Sequence, residues 1–209
     1  MTKKPNLNNL FGAKKSKTFL GLSKCENLDK IDASSAFIGA PCSTPYKTVG
    51  AYAKNGPSSI REASSSLSAN LDRYNFDLGG TLFPKGTKKA VDCGDIKWSE
   101  INFKENRKRI KKTILKILKN KTVPILVGGD DSTPIPMIEA MGEIGKKYTI
   151  LHIDAHIDWR DVHMGERYGL SSTMRRASEM KHIKKIIQVG ARGIGSAYYE
   201  DYKDAIEWG

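Results

Sequence analysis

Two short stretches of the sequence concentrate side chains that could do chemistry. Residues 153–161 read IDAHIDWRD and residues 127–132 read VGGDDS, each at the end of an apolar run. If the first stretch stayed extended, Asp154 and Asp158 would lie about 13 Å apart at about 3.3 Å per residue, too far to share one ion. We therefore expect the strand to end near Asp154 and the chain to curl, so that Asp154, His156 and Asp158 converge.

A metal ion is the simplest way to hold such a cluster together. Asp131, from the end of the neighbouring predicted strand, could reach the same point. Burying four charge-bearing groups there would be costly without a cation, and three carboxylates with one imidazole form a hard, oxygen-rich set that suits Mn²⁺. For Asp131 alone, the alternative is a cap on the helix that begins near Pro134, and His152, inside the strand, is interpreted as a core histidine. The predicted metal ligands are Asp131, Asp154, His156 and Asp158.

The rest of the chain alternates apolar strands with helical segments. The predicted strands cover residues 34–40, 88–94, 122–128, 148–154 and 184–191. The helical segments cover residues 56–70, 103–121, 132–147 and 172–182. Short strands rich in Val, Ile and Leu that alternate with helices predict an α/β fold with a parallel sheet covered on both faces. In such sheets ligands bind beyond the carboxyl ends of the strands, which is where the acidic residues stand.

Composition restricts the class of protein. A chain of 209 residues that is 39% hydrophobic and 28% charged can bury the core of one domain. No apolar run approaches the about 20 residues needed to cross a bilayer, and the lysine-rich start lacks a signal-peptide core. We therefore expect a cytoplasmic protein without a membrane partner. Cys25, Cys42 and Cys93 show no C-x-x-C spacing and are interpreted as reduced thiols.

The net charge of +12 raises the question of nucleic-acid binding. Basic residues concentrate in residues 1–30, predicted to be a poorly ordered leader ahead of a domain over residues 31–209, and in residues 103–121. In the last segment, apolar residues recur at helical spacing: Ile110, Ile114, Ile117 and Leu118. The lysines then occupy the opposite, solvated face of a helix. We therefore predict no nucleic-acid partner.

The motifs resemble those of the ureohydrolase family, which includes arginase and agmatinase. GGDDS followed by DAHID is similar to the family's Gly-Gly-Asp-His-Ser and Asp-Ala-His-x-Asp motifs. Residues 37–43 (FIGAPCS), 55–64 (NGPSSIREAS) and 91–96 (VDCGDI) resemble further family segments, and the similarity runs from about Ser34 to the end. Residues 165–180 (GERYGLSSTMRRASEM) look closest to the agmatinase branch.

The resemblance implies a three-layer αβα fold and a binuclear Mn²⁺ centre. It also implies a homo-oligomer that hydrolyses the C–N bond of a small guanidino substrate and releases urea, an activity of polyamine metabolism. Asp154 and Asp158 would be carboxylate ligands shared with or adjacent to one metal, and His156 would bind the second. The alternative is a non-catalytic member of the family, acting as an interaction domain or a partner-dependent subunit.

Three departures from the family pattern bear on activity. Asp131 stands where most of the family has a histidine ligand. Ser171 or its neighbour stands where many relatives have a loop histidine that assists proton transfer, so no catalytic residue is assigned. The chain ends at residues 204–209 (DAIEWG) before the late Asp-x-Asp motif and the last strands of the family. We therefore expect an incomplete site at the C-terminal end and an exposed edge at the strand over residues 184–191.

Overall fold

The computed structural model of the protein describes residues 16–209. Its strands are β1 (Ser23–Lys24), β2 (Ser35–Ala40), β3 (Val91–Asp95), β4 (Val123–Gly128), β5 (Tyr148–Ile153) and β6 (Ile183–Val189). Its helices are α1 (Gly56–Ser64), α2 (Phe103–Lys119), α3 (Pro134–Gly142), α4 (Thr173–Ser178) and α5 (Tyr199–Trp208), with short 3-10 segments at Phe19–Gly21 and Ser65–Asn70. All five predicted strands are confirmed as β2 to β6. The sequence did not predict β1 or α5.

The strands form two sheets, and every pairing between named strands is parallel. In the first sheet the order is β1-β3-β2-β4, and in the second β5 pairs with β6. This confirms the α/β class with a mostly parallel sheet. It also corrects one expectation, because β4 and β5, which precede Asp131 and Asp154, were expected to be adjacent and are not hydrogen-bonded to each other in residues 16–209.

Helix α2 packs one apolar stripe against the first sheet. The side chain of Asn102 caps its N-terminus by accepting a hydrogen bond from the backbone N–H of Glu105 at 3.0 Å. The isoleucines at helical spacing are buried in the main core: Ile110, Ile114 and Ile117. The lysines on the other side are exposed: Lys104, Lys108 and Lys112. The predicted solvated basic face is therefore confirmed.

The predicted leader lies only partly within the described residues, since residues 1–15 fall outside them. In the remainder, β1 pairs with β3 through Ser23 opposite Val91. The ring of Phe19 stacks on that of Phe37, with centroids 4.1 Å apart. Phe19 and β1 therefore pack against the first sheet.

A buried ion-pair network joins α1 to β3. Arg61 donates from Nε and Nη2 to the two carboxylate oxygens of Asp92 at 2.8 and 3.0 Å. Its Nη1 donates to Asp95, and its Nη2 also donates to the carbonyl of Gly94 at 2.9 Å. Because Asp92 is only 1% exposed, its charge depends on Arg61 for compensation.

The second sheet leaves one apolar face open. The residues of that face are exposed by 61, 75, 42 and 50%: Leu151, Ile153, Ile187 and Val189. On the opposite face, Ile150 and Ile186 pack against buried residues of α3, α4 and the loop after β5. Within residues 16–209, β6 pairs only with β5, so the expected exposed edge is observed.

A cavity of about 650 Å³ is lined by residues from the start of β4, from α3 and from the start of β5, including Pro124, Met137 and Tyr148. This cavity, at the gap between the two sheets, is an apolar surface in addition to the open face of the second sheet. None of the helices in the described part of the chain is long and apolar enough to cross a membrane. The three cysteines are free thiols, as predicted.

Candidate metal centre

Close packing explains the two glycines at the end of β4, Gly128 and Gly129. A Cβ added to Gly129 would lie 1.8 Å from the carbonyl oxygen of Cys42, and one added to Gly128 would lie 2.5 Å from Oγ1 of Thr133. A side chain at Gly129 would push the loop away from the segment that follows β2, and one at Gly128 would collide with the side chain of Thr133. Glycine therefore lets this loop lie against the sheet.

Asp130 holds the turn that follows these glycines, a role that the sequence did not reveal. Its Oδ2 accepts a hydrogen bond from the backbone N–H of Thr44 at 2.6 Å. Its Oδ1 accepts from the N–H and the hydroxyl of Ser132 at 3.1 and 2.5 Å. The alternative in which Asp131 caps α3 is wrong, because the N-cap residue is Thr133 and Oδ2 of Asp131 is buried without a hydrogen-bond partner.

The chain curls directly after β5, as predicted. The backbone N–H of Asp154 still bonds to the carbonyl of Val189 at 3.1 Å. Four residues later, Asp158 has a left-handed backbone with φ of 48°. Its carbonyl accepts the backbone N–H groups of Met174 and Arg175 at 3.1 Å each. These bonds hold the loop so that the side chain of Asp158 returns to the end of the strand.

Three groups that can bind a metal converge at this end of the molecule. One nitrogen or oxygen atom from each of Asp131, His152 and Asp158 lies within 4.8 Å of the other two. The side chains of His152 and Asp158 are 10 and 8% exposed, and Nε2 of His152 lies 3.5 Å from Oδ2 of Asp158. Neither Nε2 of His152 nor Oδ2 of Asp131 has a hydrogen-bond partner. Buried polar atoms without partners are rare, and this oxygen and nitrogen set fits a hard divalent ion such as Mn²⁺.

Asp154 and His156 form a more exposed pair beside this cluster. Oδ1 of Asp154 accepts the backbone N–H of His156 at 2.7 Å and lies 3.1 Å from its Nδ1. The two side chains are 34 and 59% exposed. The structure thus divides the four predicted ligands into two groups, with Asp131 and Asp158 in the buried cluster and Asp154 and His156 next to it.

Burial and mutual repulsion change the acidity of these carboxyl groups. Burial first, and then hydrogen bonding to Asp158 and its charge, raises the pKa of Asp131 to about 8. Burial also raises the pKa of Asp158. Burial acts to raise the pKa of Asp154, but the hydrogen bonds from His156 outweigh it and the pKa lies below its usual value. In the metal-free protein at neutral pH, Asp131 therefore keeps a proton while Asp154 is ionised.

The raised pKa of Asp131 predicts a pH-dependent stability for the metal-free protein. The folded state keeps this proton up to a pKa of about 8, whereas the unfolded chain releases it near about 3.9. Between these values the folded state binds more protons, so the free energy of unfolding falls as pH rises, by at most about 1.4 kcal/mol per pH unit for one proton. Urea denaturation across this range should show the decline, and Asp131→Asn should remove most of it. An unchanged slope in the variant would argue against this assignment.

His152 was interpreted as a core histidine, and its side chain is only 10% exposed, but its surroundings are polar. Its Nδ1 lies 3.0 Å from Nε2 of Gln188, and its Nε2 faces Asp158. A signal was present in the sequence, because residues two apart on a strand share a face and His152 stands two residues before Asp154. The strand alternation that buries His152 also turns it toward the site.

A small cleft of about 160 Å³ opens beside the cluster. Its lining includes His156, Asp158, Arg160, Ser171 and Asp201. Ser171 stands where the family pattern led us to expect a loop histidine. The nearby His163 is held by Arg160, whose Nη1 lies 2.9 Å from Nδ1 of His163. No proton-transfer role is therefore assigned to His163.

The comparisons with known proteins agree with these motifs. The family model described as Arginase family matches residues 33–208. Agmatinase, mitochondrial, of Gallus gallus is 29% identical over 161 residues, which are 76% of this chain and 45% of that protein. Guanidinobutyrase of Pseudomonas aeruginosa is 29% identical over 170 residues, which are 80% of this chain and 50% of that protein. The chain thus spans about half the length of the curated relatives it matches.

Solved structures show the same fold. Proclavaminate amidino hydrolase from Streptomyces clavuligerus superposes with a TM-score of 0.73 at 25% identity, over 94% of this chain and 63% of that chain. Trypanosoma cruzi formiminoglutamase with Mn²⁺ superposes with a TM-score of 0.72 at 20% identity, over 91% of this chain and 62% of that chain. Because the family model covers every strand from β2 to β6 and all four predicted ligands, the chain belongs to the arginase family.

Proposed function

We propose that this chain is the metal-binding part of a manganese-dependent amidinohydrolase of agmatinase type, which hydrolyses a guanidino C–N bond and releases urea. The observation that carries the proposal is the convergence of Asp131, His152 and Asp158 at the strand ends of an arginase-family chain. Since the chain spans about half the length of its relatives, the activity, substrate and partners of the whole protein are all part of the proposal.

The residues that would hold the metal differ in how readily they bind it. We assign the role of metal ligand to Asp131, Asp154, His156 and Asp158. When bound, a pair of Mn²⁺ ions supplies the acidified water needed to attack a poorly electrophilic guanidino carbon. Asp154 is ionised at neutral pH and can attract a cation directly, whereas Asp131 must first lose its proton. Metal affinity should therefore rise with pH.

The cleft beside the cluster is the proposed entry for the substrate. Arg160 and Asp201 place opposite charges on its wall. The amine of agmatine would pair with Asp201, whereas the carboxylate of a guanidino acid would pair with Arg160. A panel of agmatine, guanidinobutyrate and guanidine separates these possibilities, because guanidine lacks both groups.

We expect the 209-residue chain to bind Mn²⁺ weakly, since Asp131 keeps a proton at neutral pH. Asp158→Asn should weaken binding by more than the about 10- to 100-fold that is typical when an outer partner of a metal ligand is lost. His156→Ala should remove binding of Mn²⁺ at the more exposed pair, Asp154 and His156. Calorimetric titration measures both, with the exposed Asp77→Asn as the control. Tight binding of Mn²⁺ that neither substitution changes would contradict the assigned ligands.

The proposed activity is tested with the protein expressed from its complete natural reading frame. We expect urea release from at least one guanidino compound of the panel when Mn²⁺ is present, and none after the metal is removed by a chelator. Absence of urea release across the panel, from a folded protein that binds Mn²⁺, would refute the amidinohydrolase proposal.

A second candidate function is a non-catalytic or partner-dependent subunit with the same fold. The exposed apolar face of β5 and β6, formed by Leu151, Ile153, Ile187 and Val189, favours it. We further propose that the protein is cytoplasmic and forms homo-oligomers. Light scattering across a concentration series measures the oligomeric state, and a monomer at all concentrations would contradict this part of the proposal.

A further inference from the structure

We propose that Gln188 and His152 act together as positioning residues for the carboxylate of Asp158. Gln188 fixes the tautomer of the imidazole, and His152 then donates from Nε2 toward Asp158. The consequence for metal binding rests on the proposed function, but the arrangement of hydrogen bonds belongs to the metal-free protein. Neither Gln188 nor His152 is among the ligands that the motifs predict.

Two neighbours determine the orientation of the Gln188 amide. Its Nε2 lies 2.8 Å from the carbonyl oxygen of Ile157. A carbonyl only accepts hydrogen bonds, so the nitrogen and not the oxygen of the amide must face Ile157. The same nitrogen lies 3.0 Å from Nδ1 of His152. Because the amide NH₂ has two hydrogens, it can donate to both atoms.

The orientation of Gln188 in turn determines where His152 carries its proton. Since Nδ1 accepts from the amide, it must present a lone pair, and the proton of the neutral imidazole then sits on Nε2. Oδ2 of Asp158 lies 3.5 Å from Nε2, slightly beyond a good hydrogen bond. Nε2 has no hydrogen-bond partner elsewhere among the described residues. A shift of the Asp158 loop by a few tenths of an ångström would complete the bond.

The location of the pair suits a positioning role. His152 and Gln188 lie opposite each other in the register of β5 and β6, so the backbone ladder holds both. Asp158 lies in the loop beyond β5, with a left-handed backbone that an aspartate adopts less readily than glycine. The N–H donor of His152 is fixed by β5. It therefore restrains the carboxylate of Asp158, whose loop allows more conformational freedom. Outer partners of this kind orient metal ligands in many proteins.

Direct metal binding by His152 is the competing assignment, because His152 belongs to the buried cluster. Binding through Nε2 needs a lone pair on that atom and hence a proton on Nδ1. The Nδ1–H and the amide N–H of Gln188 would then be two donors facing each other at 3.0 Å. Relief would require the amide to rotate and to break its bond with Ile157. The observed contacts therefore favour the donor role.

Nitrogen NMR of the metal-free protein tests the tautomer directly. The chain has four histidines, and the spectrum of His152→Gln identifies the signals of His152 by difference. At a pH where the imidazole is neutral, we expect Nε2 protonated and Nδ1 unprotonated. Gln188→Leu should produce a mixture of the two tautomers. A proton on Nδ1 in the unsubstituted protein would overturn the proposal, whatever the enzyme assays show.

Mn²⁺ titration with two substitutions at His152 tests the consequence. His152→Leu removes the donor, and we expect Mn²⁺ affinity to fall by about 10- to 100-fold. His152→Gln keeps an N–H at a similar reach and should restore most of the affinity. His182→Gln, which can keep the bond to the carbonyl of Ile138, is the matched control and should bind as the unsubstituted protein does.

The outcomes separate this proposal from the proposed function. If His152→Gln loses as much affinity as His152→Leu, His152 is a ligand and the positioning role is refuted. Equal affinity in all three proteins also refutes it. If the unsubstituted protein shows the Nε2 tautomer but neither binds Mn²⁺ nor releases urea, the proposed function fails while the hydrogen-bond arrangement stands.

Discussion

Asp154→Asn should eliminate Mn²⁺-dependent urea release by the protein expressed from its complete reading frame. Asp154 is ionised at neutral pH, since hydrogen bonds from His156 outweigh burial and hold its pKa below the usual value, so it supplies the negative charge that attracts a cation. An amide of the same shape has no such charge. Loss of a few kcal/mol of transition-state stabilisation corresponds to about 100- to 1000-fold in rate or more. A coupled assay for urea at saturating substrate measures the effect.

Asp77→Asn is the matched control, because it makes the same chemical change at an exposed residue. It should leave both urea release and Mn²⁺ affinity unchanged. Circular dichroism of both variants checks that each remains folded. If Asp154→Asn released urea as fast as the unsubstituted protein, the role assigned to this carboxylate would be wrong.

Arg61→Leu should destabilise the domain by about 3–5 kcal/mol, the usual effect of breaking a buried ion pair from one side. Asp92 would remain 1% exposed and would lose both guanidinium N–H donors, keeping only the uncharged backbone N–H groups of Phe19 and Gly94. Asp95 and the carbonyl of Gly94 would lose a partner as well. Arg61→Lys should recover only part of the stability, since an ammonium group cannot reproduce the two-pronged contact.

Urea denaturation with linear extrapolation measures these differences. Arg73, which lies 4.0 Å from Asp72 in an exposed pair, is the control, and Arg73→Leu should change stability by at most about 1 kcal/mol. The double variant Arg61→Leu with Asp92→Asn should lose less stability than Arg61→Leu alone, because no charge is left buried. Equal losses at Arg61 and Arg73 would show that the buried network contributes little.

Much of the fold could be predicted from local patterns. The strands β2, β4, β5 and β6 each contain a short apolar run, and α2 repeats Ile110, Ile114 and Ile117 at helical spacing. These features depend on residues that are neighbours in sequence, so their period reveals them. The strand β1, with two residues, is too short to show a period, and it forms because β3 offers an edge to pair with.

The candidate site, too, could be predicted from the sequence only in part. The spacing of Asp154, His156 and Asp158 required a curl after the strand, and the curl is present. The sequence did not show which of the two adjacent acids holds the turn, because Asp130 and Asp131 have the same side chain. The contacts with Thr44 and Ser132 decide it in favour of Asp130, and they leave Asp131 without a partner for its Oδ2.

By itself, the sequence determined the α/β class, the strand ends that carry the acids, the family and the apolar faces. Each of these follows from residue types and their short-range spacing. Only the tertiary structure decided that the strands divide into two sheets and that His152 meets Asp158 and Gln188. Strand pairing and side-chain contacts join residues that are far apart along the chain. Their distances depend on how the whole chain packs, and no local period encodes them.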